Sequence, residues 1–242
     1  MEIVKVKGII ISEVSYSESS KILNVLTDDY GKIGIVSKGC KNLKSKLRSV
    51  SMKLTYGYFH IYYKEGGLST LISVDVIDEF LNIKKDLTKI GYATYLIDLT
   101  NQVSKETDNR ELFSLLEASL LKINSGFNPM IITNIVELKY LSFLGVMPIL
   151  DHCSVCGSNK SIVTISSDHG GYLCNACYKN EYIVDEKTIK LLRLFYYVDI
   201  SKIKELNIND RNRMEINKFL EGYYSKYTGL YLKSKDFLDQ IK

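Results

Sequence analysis

The sequence of 242 residues contains no tryptophan, only two prolines and only three histidines. It also lacks an apolar run close to the roughly 20 residues that a transmembrane helix needs. Its first residues do not show the charged stretch followed by an apolar stretch that marks an exported chain. These absences predict a cytoplasmic protein that does not span a membrane.

Sequence patterns of catalysis are absent as well. The chain has no Gly-x4-Gly-Lys-Ser/Thr loop, no Gly-x-Ser-x-Gly turn and no Gly-x-Gly-x-x-Gly segment after a predicted strand. His60 falls within a predicted strand, and the other two histidines flank a cysteine cluster. We therefore predict a protein that is not an enzyme.

Cysteine is scarce, yet four of the five cysteines form two matched pairs. Cys153 and Cys156 enclose two residues, Cys174 and Cys177 enclose two more, and 17 residues separate the pairs. Two Cys-x2-Cys pairs at this spacing are typical of a tetrahedral zinc site. Because four sulfur ligands leave no open position for water or substrate, we predict one structural Zn²⁺. The fifth cysteine, Cys40, is predicted to be a free thiol.

Three other interpretations of the cysteines are less consistent with the sequence. Two disulfides would require an oxidising compartment, which nothing in the sequence indicates. A thioredoxin-like redox site would need one Cys-x2-Cys pair, not two. A zinc deaminase would need a His-x-Glu partner, whereas Ser154 and Gly171 stand two residues after His152 and His169.

The first 80 residues read as five β-strands, predicted at 3–14, 21–27, 32–37, 52–63 and 68–77. The apolar residues of the fourth strand change parity beside Gly57, which predicts a bulge of the kind that closes a small barrel. Five curved strands in this length favour an OB-type barrel, with an SH3-like barrel as the main competitor. We expect Val25, Ile33, Ile35 and Leu54 in its core.

From about residue 82 the apolar period becomes helical, as in the stripe formed by Leu112, Leu115, Leu116, Ser119, Leu120 and Ile123. Pro129 suits the first turn of another helix. The fold class is therefore α+β multidomain: an N-terminal OB-type β-barrel domain at 1–80 and a mainly helical domain at 81–242. The zinc module, at 150–180, is predicted to be inserted into the helical domain.

Acidic residues are absent from residues 30–64, which contain eight lysines and arginines. Five of these cations stand between the third and fourth strands, at Lys38, Lys41, Lys44, Lys46 and Arg48. Cations at this density can follow a phosphate backbone, although many basic runs are only solvated loops. OB barrels hold single strands through a cationic groove and aromatic stacking. We therefore select Tyr16 and Tyr56 as candidates for base stacking, while noting that such tyrosines are often core residues.

Four motifs in order resemble the RecO family of bacterial recombination mediators and DNA repair proteins, over essentially the whole chain. They are the N-terminal hairpin from Gly8 to Lys32, Lys38-Gly39 with its basic stretch, Leu144-Gly-Val-Met-Pro148 with the cysteine pairs, and Leu232-Lys-Ser-Lys-Asp-Phe237-Leu. One departure is Cys40, where the family usually has a small residue. The basic loop is also rich in lysine rather than arginine. Lysine stacks less well on bases, so this composition favours contacts with the phosphate backbone of the nucleic acid.

The resemblance implies an N-terminal OB fold, a helical domain with an embedded zinc finger, and a function. That function is to bind single- and double-stranded DNA, to anneal complementary strands and, with RecR, to help RecA replace single-strand-binding protein. It also implies contact with the C-terminal tail of single-strand-binding protein and a location at the bacterial nucleoid. The alternative is a zinc-stabilised protein–protein adaptor with incidental DNA binding.

Overall fold

The computed structural model describes residues 2–105 and 110–241. Contacts divide the chain into two compact units: residues up to Ser125 together with those from Leu232 onward, and Gly126–Tyr231. The predicted boundary near residue 80 separates strands from helices, whereas the boundary between units falls about 45 residues later. The helices that follow the strands therefore belong to the same compact unit as the strands.

The first unit begins with five strands whose bounds agree closely with the prediction. They are β1 (Glu2–Ser15), β2 (Lys21–Thr27), β3 (Lys32–Ser37), β4 (Tyr56–Tyr63) and β5 (Ser69–Asp78). β1 pairs with both β2 and β4, and β3 pairs in parallel with β5, so the strands close into a barrel of order β1-β2-β3-β5-β4. The pairing register of β4 and β5 shifts between Tyr56 and Gly57, which confirms the predicted bulge.

The barrel core contains two of the four residues predicted for it. Val25 and Ile35 are fully buried in the central cluster, and Ile33 is partly buried against it. Leu54 is buried, but outside that cluster. It lies in a turn before β4 with φ of 69°, so the predicted extension of the fourth strand back to residue 52 is wrong.

Helices complete the first unit. They are α1 (Leu81–Lys84), α2 (Leu87–Val103), α3 (Arg110–Asn124) and, at the end of the chain, α7 (Lys233–Gln240), named here in chain order. The helix α7 packs on α2, where Leu238 and Ile241 leave no room for a side chain at Gly91. The C-terminal signature noted in the sequence therefore stabilises the unit that contains the barrel.

The second unit is a small sheet between helices. Its elements are α4 (Pro129–Phe143), β6 (Ile149–Cys153), β7 (Ile162–Ser166), β8 (Gly171–Cys174), α5 (Glu186–Tyr197), a 3-10 turn (Ile200–Lys202) and α6 (Asp210–Tyr227). Pro129 is the first residue of α4, as predicted, and Asn128 caps this helix. The sheet has the order β6-β8-β7, and a side chain at Gly171 would collide with the backbone of Ile149. None of the helices in the described parts of the chain is long and apolar enough to cross a membrane.

Candidate metal centre and nucleic-acid interface

The four paired cysteines converge in the second unit. Cys153 ends β6 and Cys174 ends β8, which are neighbouring strands, while Cys156 and Cys177 lie in the turns that follow them. The four sulfur atoms all lie within 4.8 Å of one another. The arrangement can therefore hold one metal ion with four sulfur ligands. Such a tetrahedral ion has no open coordination position for a substrate.

Two tight turns present the sulfur atoms. The amide of Gly157 donates to the carbonyl of Cys153 at 2.9 Å, and the amide of Tyr178 donates to the carbonyl of Cys174 at 2.9 Å. Gly157 has φ of 76°, a conformation that costs glycine little. The two-residue spacing within each cysteine pair thus allows one tight turn to direct both thiols of the pair toward the same point.

Backbone donors around the cluster favour the thiolate that a metal binds. Burial raises the pKa of the Cys153 thiol, but amide donors from Cys156, Cys174 and Val155 outweigh it and lower that pKa to about 6. Hydrogen bonding with Cys156 raises the pKa of Cys177 to about 12, because the nearby sulfur atoms share protons and negative charge. A bound cation would offset the repulsion between neighbouring thiolates. The four sulfur donors and their surroundings therefore fit a metal ion.

The five predicted cations lie in one loop of the first unit, between β3 and β4. We call residues 38–48 the basic segment. Lys38, Lys44, Lys46 and Arg48 are exposed, and Lys41 is half-buried. Within residues 2–105 and 110–241, no acidic side chain forms an ion pair with any of the five. No acidic side chain in the described part of the chain therefore neutralises their charge.

The basic segment is held against the turn that joins β1 to β2. The amide of Lys41 donates to the carbonyl of Ser19 at 2.9 Å, and its ammonium donates to the carbonyl of Ser17 at 2.7 Å. The amide of Gly39 donates to the hydroxyl of Ser20 at 3.2 Å. These bonds bring the turn that carries Tyr16 beside the cations.

The two tyrosines selected from the sequence have different environments. The side chain of Tyr16 is 59% exposed, at the start of that turn. Tyr56 is only 3% exposed: its ring stacks on Phe80 and its hydroxyl donates to Glu117 of α3. Burial and the Glu117 hydrogen bond raise the pKa of Tyr56 to about 12. The prediction that Tyr56 stacks on bases is therefore corrected, because no face of its ring is accessible.

Sequence reasoning missed the polar residues that fix the basic segment. Ser17, Ser20, Ser37 and Ser51 all contribute hydroxyl or carbonyl groups to its anchoring. The serine-rich turn from Ser17 to Ser20 was the only local signal for them, since a run of serines before a strand is typical of a hydrogen-bonded turn. Ser51 carried no signal, because its partner is 14 residues away.

Two family models match the chain. The model described as Recombination protein O N terminal matches residues 1–80, and the one described as Recombination protein O C terminal matches residues 84–236. Their meeting point falls where the strands of the barrel give way to helices.

Several bacterial relatives are similar over nearly the whole chain. A DNA repair protein RecO from Halalkalibacterium halodurans is 36% identical, with 98% of this chain and 95% of the relative covered. The DNA repair protein RecO of Bacillus subtilis is 37% identical, with 98% and 94% covered. That of Listeria monocytogenes is 35% identical, again with 98% and 94% covered. The chain therefore belongs to the RecO family of DNA repair proteins.

Proposed function

We propose that this protein binds DNA through the basic segment and Tyr16, as part of its role in DNA repair and recombination. The observation that carries the proposal is one anchored loop with five cations, four of them exposed, beside an exposed aromatic ring. Cations on a fixed loop contact successive phosphates, and an exposed ring stacks on a base of any sequence. Single strands suit this arrangement best, because only unpaired bases offer their faces to Tyr16.

The DNA repair role of the family supports a mediator function for this chain. In this function the protein binds single- and double-stranded DNA and anneals complementary strands. With RecR as partner it helps to load RecA onto strands covered by single-strand-binding protein, whose C-terminal tail it contacts. Its place is the bacterial cytoplasm, at the nucleoid, and its role is not catalytic.

The metal of the cysteine cluster is, in this proposal, a single structural Zn²⁺. Four sulfur donors in two tight turns are the ligand set of structural zinc sites, and the ion's chemistry there is to fix the turns rather than to activate a water molecule. Cys153, Cys156, Cys174 and Cys177 would hold it. Its contribution is then to the folding of the second unit.

A titration of a labelled single-stranded oligonucleotide at several salt concentrations tests the DNA-binding proposal. If four cations each neutralise a phosphate, the plot of log K against log salt has a slope of about −3. Oligonucleotides of different sequence should give similar affinities. Weak binding with a slope near zero would instead support the alternative, a zinc-stabilised adaptor between proteins.

A further inference from the structure

Lys41 differs from the other four cations of the basic segment. Its ammonium donates to the carbonyl oxygen of Ser17 at 2.7 Å, and its amide donates to the carbonyl of Ser19 at 2.9 Å. Over the described residues, the side chains of Lys38, Lys44, Lys46 and Arg48 form neither hydrogen bonds nor ion pairs. Four cations therefore face solvent, and the fifth is directed at the protein's own backbone.

The group that Lys41 holds is the turn containing Tyr16. Within this turn the amides of Tyr16 and Ser17 both donate to the carbonyl of Ser20, at 3.1 and 3.4 Å. The hydroxyl of Ser20 accepts from the amide of Gly39 at 3.2 Å, so the turn is tied to the basic segment at both of its ends. Among the described residues, the bond from the Lys41 ammonium to Ser17 is the only side-chain hydrogen bond between the basic segment and the Tyr16 end of the turn. Loss of the ammonium would remove it.

We infer that Lys41 is a positioning residue, which holds Tyr16 beside the path of the DNA and does not itself neutralise a phosphate. This inference rests on the proposed function. Because one N–H of its ammonium is held at the Ser17 carbonyl by a charge-assisted hydrogen bond, Lys41 stays at the turn and cannot follow a phosphate as the four solvent-facing side chains can. The phosphate contacts therefore belong to Lys38, Lys44, Lys46 and Arg48, and these four give a slope of about −2.8 on a single strand.

Salt titrations of single variants separate the two roles. Lys44→Ala should make the log–log slope less steep by about 0.7, because one phosphate contact is lost. Lys41→Ala should lower the affinity about three- to tenfold while leaving the slope within about 0.2 of the parent value. An equal loss of slope in both variants would overturn the inference but would leave the DNA-binding proposal intact.

A double-mutant cycle tests whether Lys41 acts through Tyr16. Tyr16→Ala should weaken binding about 5- to 150-fold, the range for loss of one stacked base. If Lys41 only positions this ring, the Lys41→Ala/Tyr16→Ala variant should bind as weakly as Tyr16→Ala alone. Lys44→Ala combined with Tyr16→Ala should instead show additive losses. Additivity for both pairs would contradict a positioning role.

Two further measurements exclude general unfolding as the cause. Lys41→Arg keeps a charged donor and should restore most of the lost affinity, whereas Lys41→Met keeps the length of the side chain without the donor and should not. Hydrogen exchange of the peptide that covers residues 16–20 should accelerate in Lys41→Met and not in Lys41→Arg. Unchanged exchange in Lys41→Met would show that the ammonium does not hold the turn. If instead the parent and every variant fail to bind DNA, the proposed function itself is wrong.

Discussion

The hydroxyl oxygens of Ser37 and Ser51 lie 2.8 Å apart, and both side chains are fully buried. Ser37 is the last residue of β3, and Ser51 lies between the basic segment and β4. The ammonium of Lys21 donates to the carbonyl of Ser51 at 3.3 Å and to Glu13 at 2.7 Å. The loop that carries the five cations is therefore closed at its base by buried polar contacts.

Ser51→Ala should destabilise the barrel by about 1–2 kcal/mol, because the hydroxyl of Ser37 would be left buried without its partner. Urea denaturation measures this change, and trypsin should cleave the basic segment faster in the variant. The control is Ser45→Ala, since the hydroxyl of Ser45 accepts from the amide of Leu47 at 3.3 Å and its side chain is not fully buried. Unchanged stability and cleavage in Ser51→Ala would show that this hydrogen bond does not close the loop.

Elemental analysis of the purified protein should find about one zinc per chain. Cys153→Ser should remove the metal and lower the stability of the second unit, because a buried thiolate ligand is lost from the turn that it shares with Cys156. Cys40→Ala is the matched control, since Cys40 lies in the barrel loop and should not affect zinc content. A parent protein without metal, or with disulfides under reducing conditions, would contradict the zinc assignment.

Glu215 of α6 joins the segment after the cysteine cluster to the helices of the second unit. Its carboxylate accepts from the hydroxyl of Thr188 at 2.6 Å, the amide of Asp185 at 3.0 Å and the guanidinium of Arg211 at 3.0 Å. Glu215→Gln should destabilise this unit by about 2 kcal/mol at neutral pH, because charge-assisted hydrogen bonds are lost. Thermal or urea unfolding measures the change, with the exposed Glu205→Gln as control.

The same substitution should change the pH dependence of stability. Burial raises the pKa of Glu215, but its hydrogen bonds with Thr188, Asp185 and Arg211 outweigh burial and hold that pKa below its usual 4.5. The folded state therefore favours the ionised carboxylate, and its contribution is full above about pH 4.5 and decreases as pH falls through the folded pKa. Parent and Glu215→Gln should thus differ most at neutral pH and converge in acid. A constant difference down to pH 3 would contradict this role.

Much of the barrel and the convergence of the four paired cysteines could be predicted from the sequence, because their signals are local. Alternating apolar residues and turn residues place strands, and the bulge at Gly57 is visible as a change of parity. The two Cys-x2-Cys pairs specify the cluster because each pair is contained in one turn. The basic segment could be placed in a loop because it stands between two predicted strands.

Other features depend on partners far away in the sequence. Met52, Leu54 and Tyr56 alternate like strand residues, but the amide of Leu54 donates to the carbonyl of Ile10 from a turn. The burial of Tyr56 depends on Phe80 and on Glu117, 61 residues away. The packing of α7 against α2 joins the end of the chain to the first unit. No local pattern contains these contacts, so the unit boundary and the environment of Tyr56 could not be predicted.

The measurement that tests the central claim most directly compares two fivefold variants in single-stranded DNA binding and annealing. One replaces Lys38, Lys41, Lys44, Lys46 and Arg48 by Ala; the control replaces five exposed lysines elsewhere, Lys84, Lys85, Lys187, Lys204 and Lys218. Both lose the same net charge. The first variant should lose annealing and most of its salt slope of about −3, with folding and zinc content intact, whereas the control should keep both activities. A basic-segment variant that binds and anneals like the parent would contradict the account and would place the DNA site elsewhere on the chain.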